Sequence, residues 1–400
     1  MSLSIPSFTH DFEPGGIHFG RGCIDHIDET LSEQGLNDAL VVCGSTVGSN
    51  KALIDPVVAG LGRNAAGIFD ETTPAKTLST VFDGIERLRA TEADAIVAVG
   101  GGSSIDVARG ISALANANYT YEDAHAAVAE TGELALPDDD DAYVPVTVVP
   151  TTLAGADLSV AAGLVAETDD GPTEAIPIDT RLMPTDLFYD PDLFETTPMD
   201  VLAGSAINGF DKGIEAVYSR FANPVTDATA VRGLAYLRSS LPRLRSADDP
   251  SVVSRAVMGT LLVQHGVSMP TSYKINIVHA FGHALRNQFG IQQGVAHGVI
   301  VPHALRLIFA EGGGRPDVLA EGLLTGEETT SDTEDAVVEA VETVRDGLGL
   351  PSRLRDVDGT SRDGLRAAAE HTAEDGFLDL GPEAFEPSVD DIERTLEDAW

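Results

Sequence analysis

Lysine is almost absent from this sequence of 400 residues. Cysteine is scarcer still, and two cysteines are too few for a disulfide framework. The first residues, MSLSIPSFTHDFEP, show neither a basic start nor an apolar export segment, and no run approaches the roughly 18 apolar residues that span a bilayer. We therefore expect a cytoplasmic protein without a membrane anchor. The rare residues are Lys51, Lys76, Lys212, Lys274, Cys23 and Cys43.

Acidic residues dominate the charge. The chain has 64 aspartates and glutamates against 25 lysines and arginines, which gives a formal net charge of −39. Such a surface repels nucleic acid and anionic lipid, so we expect neither as a partner. Hydrophobic residues still make up 43% in periodic runs, so a core can form beneath the acidic surface. This combination is typical of adaptation to high salt, and improved solubility alone is the alternative.

Strand and helix patterns alternate in the first half of the chain. The runs ALVVC at 39–43, AAGIF at 65–69 and AIVAVG at 95–100 read as strands, and helical patterns separate them. This order predicts a parallel, Rossmann-like sheet. After about residue 195 only helical periods continue, as in VLAGSAINGFDKGIEAVYSRF. We predict an α/β domain over residues 1–194, a helical domain over 195–400 and an active site in the cleft between them.

Two loops have the residues of a nucleotide-binding turn. GGGSSIDVARG at 100–110 passes directly from a strand into a helix. Its glycines let a diphosphate approach the backbone, where the N–H groups of the helix N-terminus face it. PTTLAGADLS at 150–159 ends another strand with two threonine hydroxyls. A glycine-rich turn that serves only packing is the alternative.

Together these loops resemble the iron-containing alcohol dehydrogenase superfamily. GGGSSID resembles its GGGSxxD diphosphate loop, and PTTLAGADLS resembles its segment beside the nicotinamide. The likeness continues through FYDPDLFETTP, IEAVYSRFANPVTDA and VHAFGHALRNQFGIQQGVAHGVIVPHAL. It implies an NAD(P)-linked alcohol dehydrogenase or carbonyl reductase, a small-molecule substrate and a homodimer. The implied cofactor contacts include Gly100, Gly101, Gly102, Ser103, Asp106, Thr151, Thr152 and Leu153.

The resemblance also locates the positions of the family's four metal ligands, an aspartate and three histidines. A lysine ammonium occupies one of them, and it has no lone pair and repels a divalent cation. We therefore expect no metal, and a lysine that polarises the substrate carbonyl where a metal would stand. Alternatively its head reaches water or pairs with Asp211 or Glu215. The four positions hold Asn208, Lys212, His279 and Gln293.

Histidines complete the predicted site. His279 and His283 lie four residues apart on one helix face, and the resemblance implies that His283 relays a proton. Structural histidines are the alternative. Maleylacetate reductase, a branch that works without a metal, has matching residues at positions 208 and 297, but it keeps histidines at 212 and 293. The implied catalytic residues are Lys212, His279 and His283, and the implied substrate contacts are Asn208, Gln293 and His297.

The turn VVCGSTVG at 41–48 bears on the choice between NAD and NADP. Relatives that prefer NAD tend to have an aspartate at the position of Gly44, where a carboxylate accepts from the ribose and repels a 2′-phosphate. Glycine removes that repulsion, and Ser45 and Thr46 can donate to phosphate. We therefore expect NADP, or NAD, as the cofactor.

Three functions remain open from the sequence. The first is a metal-independent NAD(P)-linked oxidoreductase. The second is a lyase-type relative that resembles dehydroquinate synthase, which needs a metal. The third is a dinucleotide-binding protein without activity.

Overall fold

The computed structural model describes residues 7–10, 12–117, 119–168, 171–246, 248–269, 272–325 and 332–400. It divides the chain into two compact units. The α/β unit comprises Glu13–Thr152 and Ala156–Thr197. The helical unit comprises Leu153–Gly155, Pro198–Trp400 and the described part of Met1–Phe12.

A parallel sheet of six strands forms the centre of the α/β unit. A separate antiparallel hairpin contains two further strands. In chain order the strands are β1 Gly16–Phe19, β2 Ala39–Gly44, β3 Ala65–Thr72, β4 Ala95–Gly100, β5 Val146–Pro150, β6 Leu164–Thr168, β7 Gly171–Ala175 and β8 Asp186–Tyr189. The spatial order of the six is β1-β8-β5-β4-β2-β3, and β6 and β7 form the hairpin.

Helices cover both faces of this sheet, because successive side chains of a strand point to opposite faces. Leu40 and Val42 join a core with α4, α5 and α6, whereas Val41 and Cys43 join a core with α1 and α3. Strands buried on both faces are continuous apolar runs, as the sequence pattern predicted. The helices are α1 Ile27–Glu33, α2 Ser45–Ser49, α3 Lys51–Leu61, α4 Leu78–Ala90, α5 Gly102–Leu114, α6 Tyr121–Thr131 and α7 Pro191–Phe194.

The helical unit is built around α8, a long and almost entirely buried helix. A glycine on α12 allows close approach to α8: a Cβ on Gly294 of α12 would lie 2.0 Å from the carbonyl oxygen of Gly204 on α8. The predicted fold class, a parallel sheet followed by helices, is confirmed. The helices are α8 Met199–Tyr218, α9 Pro224–Ser240, α10 Ser251–Gln264, α11 Ile277–Phe289, α12 Gln293–Ala310, α13 Pro316–Leu323, α14 Thr333–Gly347, α15 Leu365–Glu374 and α16 Val389–Asp398.

Within the described ranges, no helix combines the length and the apolar character that crossing a bilayer requires.

Candidate active site

The two predicted nucleotide-binding loops meet at the carboxyl edge of the sheet. Gly100 pairs with Pro150 in the parallel register of β4 and β5, and the Thr151 N–H donates to the Gly100 carbonyl at 3.0 Å. Gly101 precedes α5, and a Cβ there would lie only 3.0 Å from Thr152 Cγ2. Small residues are therefore required where the two loops approach each other. The carboxyl edge of a parallel sheet is the usual place for a dinucleotide.

Asp106, one of the predicted cofactor contacts, lies in an ion-pair network on α5. Its carboxylate accepts from Lys76 Nζ at 3.1 Å, and Arg109 Nη1 lies 3.6 Å away. The side chain is partly buried between these two cations. The structure thus gives Asp106 two protein partners of its own.

Arg109 holds the segment after PTT in place, and sequence reasoning did not identify it. Its guanidinium is fully buried and donates to the carbonyls of Ala156 at 2.9 Å, Asp157 at 2.7 Å and Leu182 at 3.1 Å. Buried backbone carbonyls need such donors. An arginine between apolar and small residues on α5, in VARGI at 107–111, was the signal that could have revealed this role.

The third predicted cofactor element is the turn after β2. Gly44 ends the strand, and the exposed Ser45 and Thr46 begin α2. A Cβ on Gly44 would lie 3.1 Å from the carbonyl oxygen of Thr72. A side chain at this position therefore fits only if the neighbouring backbone shifts slightly.

Lys212 lies on α8 with its head inside the helical unit. The residue is 7% exposed, and Nζ donates to the carbonyls of Gly155 at 2.6 Å and Ala154 at 3.1 Å. The segment reaches α8 because position 209 is glycine, where a Cβ would lie 2.1 Å from the Leu153 carbonyl oxygen. The ammonium thus binds the backbone that follows the PTT motif.

Glu215, one turn further along α8, orients His279. One carboxylate oxygen accepts from the N–H groups of Val278 at 2.8 Å, Asn276 at 3.1 Å and His279 at 3.2 Å, at the N-terminus of α11. The other lies 2.6 Å from His279 Nδ1. Burial raises the pKa of Glu215, and the three N–H donors oppose that rise. A carboxylate on Nδ1 leaves the Nε2 lone pair of His279 available.

Asp211 and His297 form a second pair of this kind. Asp211 Oδ2 and His297 Nδ1 are hydrogen-bonded, and both side chains are fully buried. Burial raises the pKa of Asp211, while the charge of Lys212 lowers it. The rings of His279 and His297 lie 4.6 Å apart at 75°. A Cβ on Gly282 would lie 2.2 Å from His297 Nε2, so only glycine leaves room for this imidazole.

Three buried polar atoms of the Asp211–His297 pair and of the nearby Asn208 lack partners. Among the described residues, Asn208 Oδ1, Asp211 Oδ1 and His297 Nε2 are buried without a hydrogen-bond partner. Buried polar atoms are normally satisfied, so each one needs an explanation. A bound ligand or ion would supply it.

The remaining predicted residues lie on α11 and α12. His283 Nδ1 lies 3.0 Å from Asp375 Oδ2, and its ring lies 6.4 Å from that of His279. Gln293 begins α12, one turn before His297 and on the same face. The structure therefore brings Lys212, His279 and His297 into one unit, with His283 beside His279.

The family's metal does not fit the four positions that the resemblance assigned to it. Of these, Lys212 presents an ammonium that is hydrogen-bonded to two carbonyls, and Asn208 and Gln293 provide neutral amides. Only His279 offers a ligand of the ordinary kind for zinc or iron. We derive no step of the reaction through a metal at these positions.

Family models match most of the chain. The model described as iron-containing alcohol dehydrogenase covers residues 14–191, and the C-terminal model of the Fe-containing alcohol dehydrogenase family covers residues 202–400. The chain belongs to the iron-containing alcohol dehydrogenase family. The predicted resemblance is confirmed, and the protein is a member of a family of oxidoreductases.

Known relatives cover nearly the whole length. The NAD-dependent methanol dehydrogenase of Bacillus methanolicus is 26% identical over 398 residues, which are 98% of this chain and 100% of that enzyme. The maleylacetate reductase of Sphingobium indicum is 26% identical over 392 residues, 98% of this chain and 97% of the reductase. The crystal structure of a 1,3-propanediol oxidoreductase has a TM-score of 0.86 at 24% identity, and covers 98% of this chain and 100% of its own, which shows the shared fold.

Proposed function

We propose that this chain is an NAD(P)-dependent oxidoreductase that interconverts an alcohol and an aldehyde or ketone, without a metal at the family's ligand positions. One observation supports it above the others: a buried ammonium, that of Lys212, occupies one of those positions. It is held against the segment that resembles the family's nicotinamide-binding motif. A relative whose name states NAD dependence supports a nicotinamide cofactor.

Side chains of the helical unit supply the groups that the reaction needs. A bound nicotinamide cofactor would supply the hydride for reduction of the substrate carbonyl, whose oxygen then gains negative charge. Lys212 stabilises that charge as a fixed positive group in a water-poor site. His283, with its Nδ1 held by Asp375, relays the proton that converts the alkoxide into the alcohol. Oxidation runs the same steps backwards.

The α/β unit supplies the cofactor site in this proposal. The diphosphate of the cofactor would bind at Gly100, Gly101, Gly102 and Ser103, where the N-terminus of α5 offers N–H groups and a favourable dipole. Gly44 admits a 2′-phosphate, which supports NADP as well as NAD.

A maleylacetate reductase-like activity is the second candidate. Asn208 and His297 match that branch, and one relative carries its name. Asn208, Gln293 and His297 would then contact the substrate. The homodimer remains a prediction from the resemblance, and light scattering of the purified protein would check it.

An activity panel tests the proposal. The purified chain is assayed with aldehydes, ketones, keto acids and maleylacetate, with NADH and NADPH, in molar salt, before and after treatment with EDTA. We expect oxidation of reduced cofactor with one substrate class and no change after chelation. The absence of turnover with every substrate would instead indicate a dinucleotide-binding protein without activity.

A further inference from the structure

We propose that Lys76 is a cofactor-binding residue, whose ammonium contacts the diphosphate of the dinucleotide. The inference rests on the proposed function, in which the loop after β4 would hold that diphosphate. Lys76 lies between β3 and α4, in the same α/β unit as this loop.

Asp106 brings the ammonium of Lys76 to the first turn of α5. Nζ of Lys76 donates to Asp106 Oδ2 at 3.1 Å. Asp106 lies one helical turn after Gly102, the first residue of α5, and therefore on the same face of the helix. Side chains of a helix lean towards its N-terminus, so the carboxylate of Asp106 points back towards the loop after β4. This places the ammonium beside the turn whose N–H groups would receive a diphosphate.

The neighbouring hairpin leaves a niche for this ammonium. A Cβ on Gly163 would lie 2.6 Å from Lys76 Nζ, so a side chain at position 163 would push the ammonium aside. The backbone of Lys76 is fixed as well, because its carbonyl accepts from the Val165 N–H at 3.0 Å. Both contacts hold the side chain in one place, which favours a binding role.

The backbone of Lys76 is strained. Its φ of 50° lies in the left-handed region, where glycine is the ordinary choice and a residue with a Cβ is uncommon. Strain of this kind persists where the surrounding structure enforces it, and it is concentrated at functional sites. A lysine in a conformation that suits glycine, in a chain with so few lysines, indicates that its side chain is needed.

The protein partners of Lys76 leave part of its ammonium for a ligand. An ammonium has three N–H bonds. Asp106 accepts one of them, and Glu174 Oε1 lies 3.9 Å away, beyond hydrogen-bond distance. Arg109, the other cation beside Asp106, donates to three backbone carbonyls. The GGGS loop itself contains no cationic side chain, so Lys76 offers the accessible positive charge that a diphosphate requires.

Titration of variants with dinucleotides tests this contact. Dissociation constants for NADH, NADPH and ADP-ribose are measured by calorimetry. Lys76→Gly removes the ammonium and relieves the strain, whereas Lys76→Met removes the charge but keeps the apolar stem. Because hydrogen bonds between charged groups are strong, both variants should bind these ligands at least about tenfold more weakly.

Glu92→Gly is the matched control for the backbone. Glu92 has the same left-handed conformation, at φ 53°, in the same unit. It precedes β4 and so lies at the opposite edge of the sheet from the loop. This variant should bind all three ligands as the parent does.

Lysine labelling of the parent chain needs no variant. The side chain of Lys76 is 19% exposed, so an acetylating reagent can reach its amine. Mass spectrometry reports the labelling of Lys76 and of the exposed Lys51, which serves as the internal reference. We expect ADP-ribose to protect Lys76, and adenosine, which has no phosphate, to leave it labelled. Equal labelling of Lys76 with and without saturating ADP-ribose would overturn the contact.

These measurements separate the inference from the proposed function. Equal weakening for ADP-ribose and for the dinucleotides, together with protection of Lys76, supports the diphosphate contact. If the parent binds a dinucleotide and either variant matches it, or if binding of ADP-ribose is unaffected, the inference is wrong while the proposed cofactor site stands. A parent chain that binds no dinucleotide contradicts both.

Discussion

The α/β unit and the helical unit differ in how completely their buried polar side chains are hydrogen-bonded. In the α/β unit the fully buried Arg109 distributes its donors over backbone carbonyls, and Thr72 and Ser104 are hydrogen-bonded at 2.8 Å. The helical unit contains most of the buried side-chain atoms that lack a partner among the described residues. They belong to Asn208, Asp211, Tyr218, Thr260, Gln264, His265 and His297, against Thr147 in the α/β unit.

In the proposed function, this difference distinguishes the scaffold from the reaction centre. Polar groups that satisfy one another hold a loop in place, whereas groups left unsatisfied are ready for a ligand. In the proposed function, the α/β unit binds the cofactor's diphosphate through the backbone of the loop after β4. We propose that the chemistry particular to this chain lies on α8, α11 and α12.

The largest expected effect on stability comes from replacing the buried arginine of the α/β unit. Arg109→Met would leave the carbonyls of Ala156, Asp157 and Leu182 buried without their donor. Each buried carbonyl that loses its donor costs about 1–3 kcal/mol, and three carbonyls are affected. We expect the free energy of unfolding in urea at molar salt to fall by more than the cost of one of them. The exposed Arg63, replaced in Arg63→Met, is the control, and an equal loss there would contradict the assignment.

A smaller effect is expected from Glu215→Gln in the helical unit. Glutamine keeps the size but removes the charge that accepts from three N–H groups and from His279. Hydrogen bonds to a charged group contribute about 1.5–3 kcal/mol, so the unfolding free energy should fall within that range. Glu311→Gln, at the exposed end of α12, should change little. A Glu215→Gln variant as stable as the parent would show that the carboxylate does not hold α11.

A substitution at Gly44 should change the choice of cofactor. Gly44→Asp introduces a carboxylate that repels a 2′-phosphate, and we expect the ratio of kcat/KM for NADPH to that for NADH to fall by about tenfold or more. Gly44→Ala reports the steric effect of a Cβ 3.1 Å from the Thr72 carbonyl. The interpretation of this turn is wrong if the parent already rejects NADPH.

Added salt should stabilise both units against unfolding, because the acidic residues extend along the whole chain. Self-repulsion of a surface with a net charge of −39 is relieved when counterions screen it. We expect the thermal midpoint to rise with potassium chloride from low to molar concentration. A flat midpoint would show that the charge does not limit stability.

Strand and loop positions were predictable because they depend on local patterns. Apolar runs predicted β2, β3 and β4, and the glycines after β4 predicted the start of α5. The pairing of Asp211 with His297, and of Glu215 with the N-terminus of α11, was not predictable. Both depend on how three helices pack, and residues 86 positions apart along the chain do not signal their contact. From the sequence, Asp211 and Glu215 were predicted only as alternative partners of Lys212.

Turnover of Lys212→Met is the most direct test of the central claim, that this ammonium stands in for the family's metal. Methionine keeps the apolar stem and removes the charge, so kcat should fall by roughly 10²–10³ while the affinity for the cofactor is unchanged. Lys274→Met is the matched control, since Lys274 is also buried in the helical unit and donates to two backbone carbonyls. We expect a loss of turnover for Lys212→Met and none for Lys274→Met. Near-normal turnover of Lys212→Met, or equal losses in both variants, would contradict it.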